Sequence, residues 1–164
     1  MDICERMDTV RKIKEAHEVL CKRHNIDVKI IVLPMHLLRM YFLLIAGGKL
    51  PPMSGEGFLK TKGPERTPDE LVIGVDGHTD PGFIFCHEWH HIVSLLKTNG
   101  RDAGDETSIE GPDKIAEEFG FKKTIESARE GLKAFVKSIA KEQGPLDKDI
   151  ISAIDGLFNL SNNE

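Results

Sequence analysis

Over residues 7–24 the apolar positions Met7, Val10, Ile13, Val19 and Leu20 recur among charges with the spacing of a helix that lays one face on a core. Asn25 is placed to stop that helix. Over 26–34 the pattern changes to a β-branched run, Ile30-Ile31-Val32, closed by Pro34, which predicts a strand buried on at least one face. Residues 35–46 are too continuously apolar to show either period, and a short buried helix is expected there, with Tyr41 in the core. Gly47-Gly48, Pro51-Pro52 and Ser54-Gly55 make a turn-rich loop. Residues 57–61 and 70–75 read as two short strands that 62–68 can close into a hairpin.

The next boundaries are written in capping chemistry: Asp80 as N-cap, Pro81 at the first helical position and Asn99-Gly100 as the stop predict a helix over 81–98. A polar loop over 101–111 precedes a restart at Pro112, where Ile115, Phe119, Ile125, Leu132, Phe135 and Ile139 continue the helical period and Gly120 is a point of bending or splitting. A last amphipathic stretch covers 146–160. With 164 residues, no repeat and no compositional break, the chain is expected to be one domain, 1–164, with C-terminal helices over 112–160.

Composition narrows the function classes. A net charge of -5 argues against general nucleic-acid binding, which depends on clustered Lys and Arg. The one strongly apolar run contains Arg39 and is too short to span a bilayer, so no membrane association is expected. The acidic, apolar-poor start Met1-Asp2-Ile3-Cys4-Glu5-Arg6 does not read as a signal peptide. Cys4, Cys21 and Cys86 are odd in number and widely spaced, which suits reduced thiols and a cytoplasmic location. A single glutamine, Gln143, amid plentiful Lys and Glu is a bias of thermophile proteins.

The chemistry lies in His87-Glu88-Trp89-His90-His91, an HExxH set inside the helix over 81–98. At about 100° per residue, His87 and His91 stand about 40° apart and one turn along, so two imidazoles can share one metal. Glu88, about 100° from His87, falls beside that metal, where a carboxylate can act as general base toward a bound water. Trp89 turns away and is expected in the core with Phe85, Ile92 and Leu96, and Cys86 is also read as core. Two imidazoles with a carboxylate suit one catalytic Zn2+, which needs a third protein ligand. The acids that begin the next helix supply candidates: Glu110, Asp113, Glu117 and Glu118. His90 is a candidate to line the cleft and bind substrate, or is a half-exposed surface residue. His78 is a candidate oxyanion donor, or a plain turn histidine.

These residues, with the segment Asp113-Lys114-Ile115-Ala116-Glu117-Glu118-Phe119-Gly120, resemble the gluzincin group of zincin metallopeptidases, most closely the ImmA/IrrE-like family and the minimal archaeal gluzincins. The resemblance covers 7–124. It departs from the family pattern at two places, with Asp113 where the ligand glutamate stands and Glu117 where Asn or Asp stands. It implies Asp113 as third ligand, whereas the phase of a continuous helix favours Glu117, and Glu110 and Glu118 stay open. It further implies an α+β, zincin-like fold with a small, mainly antiparallel three-stranded sheet, a long N-terminal helix, the active helix and C-terminal helices. Residues 35–54 become an insertion, and the strand over 71–75 becomes the cleft edge on which an extended peptide can pair.

The function expected is a zinc-dependent metallopeptidase acting on a protein or peptide, with Glu88 as base; a homodimer is left open. The alternative is a latent or inactive zincin-fold binding module, its cleft covered by 35–54 or its metal structural.

Overall fold

In the computed structural model the residues described are 3–46, 55–100 and 110–124, with 126–128, 130–132, 134 and 138 beyond them. The expected helix over 146–160, the loop over 101–109 and residues 47–54 of the expected insertion lie outside the described residues.

The element order is α1 (Ile3–His24), β1 (Lys29–Leu33), α2 (Met35–Ile45), β2 (Gly57–Lys62), β3 (Thr67–Gly74), α3 (Pro81–Lys97) and α4 (Glu110–Phe119). Helical backbone recurs at Thr124 and at the described residues beyond it. The class is α+β, as the patterning predicts, but the sheet is mixed rather than mainly antiparallel. Its order is β1-β3-β2, with β1 parallel to β3 and β2 antiparallel to it. The reason lies in α2, which with β2 forms the connection that lets β3 return beside β1 in the same direction.

Register divides the sheet cleanly. Ile30, Leu59 and Leu71 align on one face, joined there by Ile73, and all four belong to or pack on the main core with Ile13, Ala16 and Leu20 of α1 and Phe85, Trp89 and Ile92 of α3. Phe58, Lys60, Glu70, Val72 and Gly74 point to the other face, which α2 covers. Leu38 is buried there, the Phe58 ring packs against Tyr41 and Phe42, and a β-carbon on Gly74 would stand 2.4 Å from the Met35 sulfur. Segment 35–46 therefore seals the sheet on the side opposite α3 and does not cover α3. Tyr41 is half-buried rather than core, its hydroxyl donating to the Glu70 carboxylate, because a phenol taken from water keeps a partner.

Other expectations shift in phase. Met7 and Val19 are exposed at 69% and 45%, and the stripe that α1 buries is Ile13, Ala16, His17 and Leu20. Leu96 is exposed at 37% while Leu95 is buried at 2%. At that end α3 lies against the β2–β3 turn, where a β-carbon on Gly100 would meet the Glu65 carbonyl oxygen at 2.0 Å, so the covered side is the one carrying Leu95. The C-terminal helix is split rather than continuous: Gly120 takes φ 71° and the Phe121 N–H donates to the Ala116 carbonyl at 2.9 Å. No helix among the described residues is long and apolar enough to cross a membrane.

Candidate metal centre

Capping fixes where α3 starts and so how its side chains are phased. One Asp80 carboxylate oxygen accepts from the Gly82 and Phe83 N–H groups at 2.9 and 3.2 Å, Pro81 opens the helix, and Thr98 ends it. The loop before Asp80 is held by a residue that sequence patterning does not single out. Glu56 accepts from the backbone N–H of His78 and of Thr79, both at 2.7 Å, and Gly77 leaves room for its carboxylate, which a β-carbon would meet at 2.5 Å.

On α3 the residues Ile84, Phe85, Trp89 and Ile92 are buried against the sheet and α1, leaving His87 and His91 on the opposite, half-buried side. Their rings meet edge to face at 88°, and their Nε2 atoms lie 3.2 Å apart. Two nitrogens bound to one tetrahedral zinc at about 2.0–2.1 Å would be separated by roughly 3.3 Å. The pair is thus already spaced as two corners of such a site, a distance that an N–H···N hydrogen bond between the rings also satisfies.

Glu88 lies between Ile84 and Ile92 around the helix and over the start of β2. Burial pushes its carboxyl up to about 7. Gly57 makes this possible: a β-carbon there would stand 2.4 Å from Ile84 Cγ2 and 3.4 Å from Glu88 Cγ. Hairpin register puts Gly57 on the core face opposite Ile73, so the signal was present in the strand pairing rather than in the HExxH itself. Cys86 is fully buried and its thiol is pushed up to about 12, first by desolvation and then by the charges of Asp80 and Asp113. It is core, as expected.

The carboxylates expected as third ligand are engaged elsewhere. Asp113 accepts from the backbone N–H and the hydroxyl of Thr124 at 2.7 and 2.6 Å, which ties α4 to the helical turn after Gly120. Glu117 is 72% exposed and pairs with Lys123, and because the helix breaks at Gly120 the phase argument for it lapses. Glu118 is bound by both terminal nitrogens of Arg23. Glu110 opens α4, and its side chain lies outside the described residues. Among the described residues no group of three or more His, Cys, Asp and Glu side chains is placed to hold a metal ion.

The two secondary candidates face other cavities. His90 turns toward α4, where a β-carbon on Gly111 would stand 2.1 Å from its Nδ1, and it lines a cavity of 380 Å³ with Trp89 and Lys97. His78 lines a separate cavity of 460 Å³ with Thr9, Thr79 and Lys122.

The strand over 71–75 does not offer a free edge, because β3 is paired on both sides. Among the described residues the strand that pairs on one side only and runs beside α3 is β2. Comparisons with protein-family models, with curated proteins and with solved structures found no match to this chain.

Proposed function

We propose that the chain is a zinc-dependent metallopeptidase of zincin type in which His87 and His91 hold the metal and Glu88 is the general base. The observation that carries this reading is the 3.2 Å approach of the two Nε2 atoms on one face of a firmly capped helix, with a carboxylate one residue on from the first. Bound zinc would supply a Lewis acid that lowers the pKa of a water toward roughly 7.

Glu88 then takes the proton of the attacking water and returns it to the leaving amine. Its half-buried setting limits the access of bulk water to that transfer. A substrate added along the outer edge of β2 in extended form would pass Glu88 at Gly57, the point where the strand carries no side chain to intervene. For the third ligand we propose Glu110, since Asp113, Glu117 and Glu118 are bound to Thr124, Lys123 and Arg23.

The test is zinc content by elemental analysis, with peptide cleavage measured beside it. Wild type should carry one zinc, His87→Ala with His91→Ala should carry none, and Glu88→Gln should keep zinc while cleavage falls by about 10²–10⁴-fold. Zinc content unchanged in the double histidine variant would sink the site.

A second reading, a zinc-binding module without hydrolysis, is favoured by one observation: Asp113, which occupies the family's ligand position, is spent on Thr124. Wild-type zinc with no cleavage of any peptide in a diverse library would select it.

A further inference from the structure

We propose that the cavity between α1, α3 and the first turn of α4 is a binding site for a small organic anion, a molecule with an apolar or flat body and a phosphate or carboxylate head. It measures 380 Å³, within the range of small-molecule sites. It lies on α3 away from the histidine pair: Trp89 and Val93 stand roughly 120–160° around the helix from His87, and Lys97, about 80° around, lies nearly three turns further along the axis.

Two features of the lining select the ligand. Arg23, His24, Lys97 and Lys114 contribute to the wall, and among the described residues no carboxylate does. In a chain of net charge -5 this is a local reversal of sign, and a concave wall of one sign focuses potential on its interior. Arg23 is already bridged to Glu118, whereas Lys97 takes part in no ion pair among the described residues, so the head group is assigned chiefly to Lys97. The backbone N–H of Gly111 in the first turn of α4 adds to the same field.

The second feature is apolar. Val93 and Ile115 present the accessible apolar surface of the wall, backed by Leu20 and Trp89, which are buried at 2% and 0% exposure. An inorganic ion would leave that surface unused. A ligand with an apolar body covers it.

Trp89 is the chain's only tryptophan, so its fluorescence comes from the wall of this cavity and the core behind it. The full chain is titrated with phenyl phosphate, benzoate, inorganic phosphate and phenol, with calorimetry in parallel. Saturable binding is expected for phenyl phosphate or benzoate, the tighter of the two naming the head group, and each at least about tenfold tighter than inorganic phosphate or phenol. Lys97→Glu with Lys114→Glu, both exposed positions, should weaken it by about tenfold or more, and Lys62→Glu, remote from the cavity, should not.

Thermal melts confirm that the variants fold, and raising salt on the wild type gives the charge dependence without any substitution. Equal affinity for phenyl phosphate and inorganic phosphate would mean an adventitious ion only and overturn the proposal. So would equal affinity for phenol, unchanged binding in the double variant, or no saturable signal. None of these readouts uses zinc or peptide cleavage, so this site stands or falls apart from the metallopeptidase reading.

Discussion

Gly57 and Glu88 face each other where β2 begins, with the position of a β-carbon on residue 57 only 3.4 Å from Glu88 Cγ and 2.4 Å from Ile84 Cγ2. Glu88 is therefore seated by an absence on a neighbouring strand. Gly57→Ala should destabilise the fold by about 1–3 kcal/mol, since Ile84 is buried and has little room to yield. The melting temperature reads this. Ile84→Ala removes the colliding methyl, so the double variant should melt higher than the sum of the two single losses predicts; strict additivity would show that the two residues do not interact.

Asp113 gives a prediction that separates structure from ligation. If its role is to hold the start of the helical turn at Thr124, Asp113→Ala should cost about 1 kcal/mol, the ordinary value of such a cap, with zinc content unchanged. Glu110→Ala should instead lower zinc content. Loss of zinc in the Asp113 variant with none in the Glu110 variant would return the third ligand to the family position.

Glu56 and Gly77 should behave as a pair. The Glu56 carboxylate satisfies two backbone N–H groups in the loop before α3, and its removal in Glu56→Ala should cost about 1–3 kcal/mol. Gly77→Ala pushes a methyl into the same carboxylate and should be costly alone but mild once Glu56 is Ala. A double-mutant cycle reads the coupling, and a coupling near zero would show that the loop is held by other means.

His17 links stability to pH. It is 8% exposed, and burial lowers its pKa below the usual 6.5 against the upward pull of the Val28 carbonyl and the charges of Glu18 and Asp27. The unfolded chain protonates this imidazole near 6.5 while the folded one resists, so the unfolded state binds more protons as pH falls. Stability should be full above that value and decline below it, until the lowered folded pKa is passed. Melts from about pH 7.5 to about pH 5 should show a shallower decline for His17→Gln than for wild type. Parallel curves would remove His17 from the cause.

Much of this was legible in the chain because local chemistry wrote it. Asp80, Pro81 and Asn99-Gly100 bounded α3 to within a residue, and that boundary alone put His87 and His91 on one face with Trp89 and Phe85 opposite. What was not legible depends on partners distant in sequence. The direction of β1 against β3, the engagement of Asp113 by Thr124, and the seat of Glu88 over Gly57 are set by how elements dock, and no window of the sequence contains them.

The parallel pairing of β1 with β3 has a kinetic consequence. Ile31 meets Val72 across about forty residues of intervening chain, while Leu59 and Leu71 meet across one short turn. Closing the longer loop loses more entropy before any contact repays it, so the β2–β3 hairpin should assemble early and β1 should dock late. Under that order Leu59→Ala slows refolding, whereas Ile31→Ala mainly speeds unfolding. Glu88 would then have its strand neighbour in place before the sheet is complete.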